Sequence, residues 1–275
     1  MTMHHDLQKK ESTHSALPFR MLLPMTPVLV AAGSGTAVAM ENTCLDGMAE
    51  DGLTLRPVAY YQGPFGSKFG IPRQSSLSPE IRGRIVFCPS YRVPDALRGL
   101  EGFSRIWLVW GFSANRPTKG DWQPTVRPPR LGGNVAMGVW ATRSPFRPNP
   151  LGLSCVELEG IENGELLVRG ADLMDGTPIY DIKPYIVYAD AFPEARCGFA
   201  AQAPERKLEV VIPPELPLDE SQRRTLSEVL ALDPRPAYQD SPEREYAFPF
   251  EGADIRFRVC DGVLTVTAYS SLARN

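Results

Sequence analysis

Histidine is almost missing from this chain. Three occur in 275 residues, His4, His5 and His14, all within the first fifteen. The remainder therefore has no imidazole. Ser-His-Asp and Cys-His catalysis, histidine zinc sites and histidine general bases are excluded from it. Chemistry has to rest on carboxylates, tyrosine, lysine, arginine, a thiol or a cofactor. Cysteine is also sparse: Cys44, Cys88, Cys155, Cys197 and Cys260 form no C-x-x-C pair. Their odd count and wide spacing read as free thiols of a reduced, cytosolic protein and argue against zinc, so no metal is expected. Long apolar runs are missing too. Met21 to Met40 comes nearest, but Pro24, Pro27, Gly33 and Gly35 interrupt it, which argues against a membrane span. Within it, "VLVAAGSGTAV" imitates a dinucleotide-binding loop but has Val38 where the third glycine belongs. The net charge is −3, so no overall basic field advertises a nucleic-acid partner, and any such binding needs a local patch.

Residues 1–52 differ in character from the rest of the chain. A signal peptide, with Arg20 before the apolar run, competes with a disordered leader, and the composition favours the leader. From Leu53 the chain turns into short β-branched and aromatic runs bounded by turn residues. They are "LRPVAYYQ" (55–62), "GRIVFCP" (83–89), "RIWLVWGF" (105–112), "VAMGVWAT" (135–142), "LSCVELEGI" (153–161) and "ELLVRGADL" (165–173). Asn163-Gly164 marks a hairpin turn, and Asp175-Gly176, taken alone, reads the same way. "PDALRGLEGF" (94–103) suggests one short helix. The pattern predicts a mainly β protein with a barrel over residues 53–200. Beyond it, 201–275 reads as a small α+β domain: a strand and connector over 202–217, an amphipathic helix over 218–232, and two strands joined through Asp261-Gly262.

Charge gathers in one place. Between Arg116 and Arg147 six cations, Arg116, Lys119, Arg127, Arg130, Arg143 and Arg147, face one acid, Asp121. The surrounding prolines, in "RPTKGDWQPTVRPPRLGGN" (116–134) and "ATRSPFRPNPLG" (141–152), pre-set the backbone. Guanidinium forks on such a frame suit phosphate or carboxylate; a solvated basic face is the bland alternative. "DLMDGTPIYDIKPY" (172–185) crowds Asp172, Asp175, Asp181, Lys183, Tyr180 and Tyr185 beside a core strand, where binding residues collect.

Together "FGIPRQ", "GLEGFSRIWLVWGF", "PTVRPPRLGGN", "GVWATRSPFRPNPLGLSCVEL", "DGTPIYDIKPY" and "DPRPAY" resemble the TrmO (TsaA-like) family, from about Leu55 to the C-terminus. The resemblance implies a cytoplasmic, homodimeric, S-adenosylmethionine-dependent tRNA methyltransferase. It would act on N6 of threonylcarbamoyladenosine beside the anticodon, through a β-barrel rather than a Rossmann domain. By motif, S-adenosylmethionine contacts fall on Pro72, Arg73, Gln74, Arg143, Leu153, Asp175, Gly176, Thr177 and Pro178. Ser113 and Ala114 fall at a contact position as well, but stand where family members show His-Gln, so only backbone contacts would survive there. Asp181, Asp175 and Tyr238 are candidates to accept the amine proton. Arg127, Arg130 and Arg147 are candidates for tRNA phosphates or the threonyl carboxylate, and Phe146 and Tyr238 for base stacking. A barrel that binds S-adenosylmethionine or RNA without catalysis is the alternative.

Overall fold

The computed structural model describes residues 54–114, 122–202, 205, 208–235 and 241–271; for Arg130 it describes the backbone only. The leader expected over 1–52 lies outside these residues.

Six strands close into an antiparallel barrel. They are β1 (Ala59–Gln62), β2 (Arg82–Phe87), β3 (Arg105–Gly111), β6 (Leu151–Glu162), β7 (Glu165–Arg169) and β8 (Pro178–Pro184), in the order β1-β2-β7-β6-β3-β8, with β8 pairing back onto β1. Two-residue strands β4 (Thr125–Val126) and β5 (Met137–Gly138) form a separate ribbon in the loop between β3 and β6. Alternation explains the barrel. Ile106, Leu108 and Trp110 of β3 and Ser154, Val156 and Leu158 of β6 point inward, while their neighbours face out. β6 and β7 are joined at Asn163 and Gly164, both with positive φ (52° and 74°), the backbone that a tight two-residue hairpin requires.

The second sheet has the order β10-β11-β12-β9. Its strands are β9 (Glu209–Val211), β10 (Tyr246–Phe250), β11 (Ala253–Cys260) and β12 (Val263–Ser271), with β9 running parallel to β12. Asp261 and Gly262, again both at positive φ, make the β11–β12 turn. The one-turn helix α1 (Val187–Asp190) follows the barrel, and α2 (Glu220–Ala231) packs on the second sheet. Asp219 and Gln222 close a reciprocal capping box at the start of α2, satisfying two otherwise orphan amides. Leu226, Val229 and Leu230 form its buried stripe.

The protein thus has a mainly β barrel and a small α+β module, each with its own core. The second core also takes Phe65, Phe69, Ile71 and Ile81 from the connector between β1 and β2. Phe65 bridges to Phe250, and the Glu251 amide donates to the Pro64 carbonyl.

Three local expectations differ. The 135–142 run is the two-residue β5 followed by a 3-10 turn, Val139–Ala141. Its apolar side chains do not alternate about a core: Trp140 and Val135 are exposed. The 94–103 helix is two 3-10 turns, Pro94–Leu97 and Leu100–Gly102, divided at Gly99, whose φ of 87° ends any right-handed helix. Asp175-Gly176 is a turn but joins no hairpin, because β7 and β8 are not neighbours in the barrel.

Candidate active site

One end of the barrel is plugged by aromatic rings lying on glycines. A Cβ on Gly63 or Gly83 would stand 2.3 Å from the Tyr61 ring, and one on Gly152 would stand 2.2 Å from Trp110. The absent side chains leave room for the rings to lie across the strands. A polar chain starts at Trp110. Trp110 Nε1 donates to Ser154 Oγ (2.9 Å), and Ser154 Oγ donates to Asp172 Oδ1 (2.5 Å). Burial pushes the Asp172 carboxyl above the usual range, opposed by the Ser154 hydroxyl, the Arg143 charge and the Ser75 amide. Tyr61 is fully buried, and its hydroxyl has no hydrogen-bond partner among the described residues. Burial first, then the charges of Asp172 and Asp175, drive its pKa far up and keep it a neutral phenol.

Several predicted cofactor residues are tied to other segments by hydrogen bonds. The β1–β2 connector leaves the second core at Ile71, buries Pro72 and exposes Arg73. Gln74 Nε2 donates to the Arg73 carbonyl (2.6 Å), which leaves Gln74 Oε1 to accept from Arg143 Nη1 (2.5 Å). Arg143, from a loop some seventy residues away in sequence, thus meets the "PRQ" segment. The "DGTP" turn is tied down from three sides. Asp175 N donates to the Phe65 carbonyl, Gly176 N to the Tyr61 carbonyl, and Gly63 N to Asp175 Oδ1 (3.1 Å). Thr177 is buried, with its hydroxyl and amide both donating to the Met174 carbonyl. Gly176 supplies the positive φ (74°) at the third position of that turn. Pro178 then starts β8 opposite Tyr60.

Leu153 and Asp181 share a row across three strands, paired through Val109. Both lie outside the barrel, and Leu153 is 52% exposed. A bulge in β8 beside Tyr180 sets this row. Lys183 Nζ pairs with Asp181 Oδ2 at 2.8 Å, and Oδ1 accepts from the Ile182 amide. Ser113 and Ala114 are exposed just past β3.

The Pro/Arg loop divides its arginines. Arg147 reaches back to carbonyls of its own loop: Nε to Ser144 (2.9 Å), Nη2 to Thr142 (2.5 Å) and to Val139 (3.3 Å). It also lies over Trp140 at 5.8 Å. Trp140, 69% exposed, stacks on exposed Trp122 with ring centroids 5.8 Å apart. Arg127 and Phe146 are exposed. Arg130 is the middle residue of a 3-10 turn, Pro129–Leu131. Tyr238 lies outside the described residues. Sequence reasoning missed the Trp110–Ser154–Asp172 chain. Its one signal is a serine at an inward position of a strand that otherwise buries Val156 and Leu158.

Comparison with known proteins decides the family. The tRNA-methyltransferase O N-terminal domain matches residues 60–191, and the TrmO C-terminal domain matches 207–271. The chain belongs to the TrmO family. Among its relatives, the Escherichia coli K12 tRNA (adenine(37)-N6)-methyltransferase is 41% identical over 228 residues, 77% of this chain and 95% of that protein. RcsF of Pseudomonas aeruginosa, named among S-adenosylmethionine-dependent methyltransferases, is 40% identical over 222 residues, 74% of this chain and 91% of that one. The crystal structure of TrmO from Pseudomonas aeruginosa aligns with a TM-score of 0.66 at 31% identity, covering 80% of this chain and all of that one. The barrel, and not a Rossmann domain, is the frame of this TrmO member's site.

Proposed function

We infer that this chain transfers the methyl of S-adenosylmethionine to N6 of adenosine 37 of tRNA, and that the adenosine carries a threonylcarbamoyl group. The observation that supports this best is the hydrogen bond from Arg143 to Gln74, which joins two predicted cofactor segments far apart in sequence. The "DGTP" turn, tied to the Gly63 amide, and the exposed Leu153 supply the other predicted contacts. The donor set fits the cofactor chemically. Arg143 offers a guanidinium to a carboxylate, Leu153 an apolar surface to an adenine or thioether, and the turn its backbone groups to a ribose or amine. When bound, S-adenosylmethionine supplies a methyl already activated on a sulfonium.

The protein's part is then positioning. It has to hold N6 about 3–3.5 Å from the methyl, in line with the breaking bond. The N6 lone pair is delocalised, so removing its proton assists attack. Asp181, held outward by Lys183, is the acceptor we favour; Asp175 and Tyr238 follow. Pro72, Arg73, Thr177 and Pro178 fix the clamp's backbone, and Ser113 and Ala114 contribute through main chain alone. Arg127 and Arg130 are our candidates for the tRNA backbone or the threonyl carboxylate, with Trp122, Trp140 and Phe146 as stacking surfaces for anticodon-loop bases. Arg147 serves the same surface by holding its loop. We read 53–200 as the catalytic domain and 201–275 as the second, in a cytoplasmic homodimer. Among the described residues no helix is long and apolar enough to cross a membrane.

Nucleoside mass spectrometry tests the proposal. Purified protein is incubated with S-adenosylmethionine and tRNA with or without the threonylcarbamoyl group. One added methyl only on the modified tRNA is expected. Methylation of both keeps the reaction and removes the specificity. No methylation, despite measured cofactor binding, favours the non-catalytic module to which Ser113 and Ala114 point.

A further inference from the structure

β8 carries a bulge where the row of Leu153, Val109 and Asp181 crosses it. Ile179 pairs with Trp110 and Asp181 with Val109, which are consecutive on β3, so Tyr180 has no partner on that strand. Strict alternation would turn Tyr180 and Asp181 to opposite faces. The extra residue lets both face outward, the kind of re-aiming that bulges provide beside active sites. Ile179 before them is buried inside the barrel. Trp110 points inward, so the Cβ position of Gly111 faces out, and there Tyr180 leans across it: a Cβ on Gly111 would lie 2.8 Å from both Cε2 and Oη of Tyr180. Gly111 is thus a seat for the ring, which stays half-buried. Among the described residues the Tyr180 hydroxyl has no hydrogen-bond partner. Asp181 Oδ1 accepts from the Ile182 amide and Oδ2 pairs with Lys183, which leaves each oxygen a further lone pair. Two consecutive residues therefore present a phenol that can donate and a carboxylate that can accept on one face.

We propose that Tyr180 is a specificity-determining residue for the methyl acceptor: its hydroxyl donates to N7 of the target adenine while Asp181 accepts from the N6–H. This rests on the function proposed above. Adenine presents those two groups side by side, an acceptor at N7 and a donor at N6. A substituent on N6 spreads away from the imidazole ring, which leaves the N6–H on the N7 side. Phenol and carboxylate on adjacent residues match that edge group for group. Guanine has acceptors at both places, N7 and O6, so its O6 would face the Asp181 carboxylate with no proton between them. Position assigns Tyr180 to the acceptor base and not to the cofactor. Leu153, the apolar cofactor candidate, lies across Val109 from Asp181, about 10 Å away by two inter-strand spacings. A methyl donor at Leu153 and a base at Tyr180 and Asp181 meet over Val109. The Gly111 seat holds the ring beforehand, so little rotamer freedom is lost when the base arrives.

The test removes the hydroxyl and the ring nitrogen in turn. Full-length wild-type and Tyr180→Phe proteins are given S-adenosylmethionine and synthetic anticodon stem-loops carrying threonylcarbamoyladenosine or its 7-deaza analogue, which has a C–H in place of N7. On the natural base, Tyr180→Phe is expected to lower kcat/KM for the stem-loop about tenfold, the scale of one hydrogen bond. Its Tm, and its affinity for S-adenosylmethionine by calorimetry, should match wild type, because the ring keeps its seat. On the analogue the same substitution should cost nothing, since the contact is already gone, a coupling that a merely structural role would not produce. An equal loss on both bases overturns the proposal, and so does a fall in cofactor affinity with kcat/KM otherwise explained by it. Wild-type kinetics of Tyr180→Phe on the natural base overturn it too and leave the proposed function standing. No transfer by wild type to the natural stem-loop removes the proposed function, and this inference with it.

Discussion

Three arginines of one proline-rich stretch have separate tasks. Arg143 meets Gln74 across the fold, Arg147 is bound to three carbonyls of its own loop, and Arg127 is exposed. Their replacement by alanine separates them. Arg143→Ala should weaken S-adenosylmethionine binding by about tenfold or more, the value of a hydrogen bond to a charged group, read by calorimetry. Arg127→Ala should leave cofactor affinity intact while flattening the log-log salt dependence of tRNA binding by about one unit, read by filter binding. Arg147→Ala should lower stability by about 1–3 kcal/mol through its lost bonds to the Ser144 and Thr142 carbonyls, read as a fall in Tm.

Among the elements, the barrel depends on glycines as seats for rings. Gly83→Ala would place a Cβ 2.3 Å from the Tyr61 ring, which is hemmed in by Gly63 and the core, so the ring has no retreat. A loss of about 1–3 kcal/mol is expected from this overpacking. Gly160 in β6 provides the contrast, because nothing stands within 4 Å of its would-be Cβ and its φ is not positive. Gly160→Ala should change stability by less than about 0.5 kcal/mol, as an open surface position does. Paired denaturant melts would show the difference, and equal losses would argue against the ring seat. The "DGTP" turn depends on a longer-range support: its amides are bound to the Tyr61 carbonyl of β1 and the Phe65 carbonyl of the β1–β2 connector, so the turn shares their rigidity. That connector is anchored by Phe65, Phe69 and Ile71 in the second core, so the α+β module supports the segment that carries Arg73 and Gln74 without contributing a predicted contact of its own.

For the molecule as a whole, Asp172 couples pH to stability. Its pKa is higher folded than unfolded because burial penalises the charged form. The folded state therefore binds this proton more tightly, and that contribution is present at low pH and lost as pH rises through the raised value. Asp172→Asn removes the loss. The Tm of the variant should gain on wild type as pH rises from the ordinary aspartate range to neutrality, and melts across that range would show it. A constant gap would mean that the group is not desolvated in solution. The overall charge of −3 makes a second demand at this scale. If the local basic stretch meets tRNA as proposed, its phosphate contacts should make association strongly salt-dependent.

Much of this was legible in the sequence for a physical reason. Period-two alternation is a local property, and "RIWLVWGF", "ELLVRGADL" and the Asn163-Gly164 turn carry their own backbone preferences, so β3, β7 and the β6–β7 hairpin followed from the residues alone. The 135–142 run misled because β-branched and aromatic residues predict a strand only if a partner surface covers them, and here Trp140 faces out. The absence of histidine beyond His14, the missing third glycine and the "DGTP" and "PRQ" segments likewise determined which chemistry and which cofactor class to expect. What those residues meet was decided by the tertiary structure. Gln74 and Arg143 are paired between two loops far apart in sequence, Leu153 and Asp181 by strand register, and Asp172 with Ser154 and Trp110 by hydrogen bonds across strands. Local sequence encodes preferences over a few residues, whereas desolvation and guanidinium geometry depend on which distant side chains are brought within a hydrogen bond of each other.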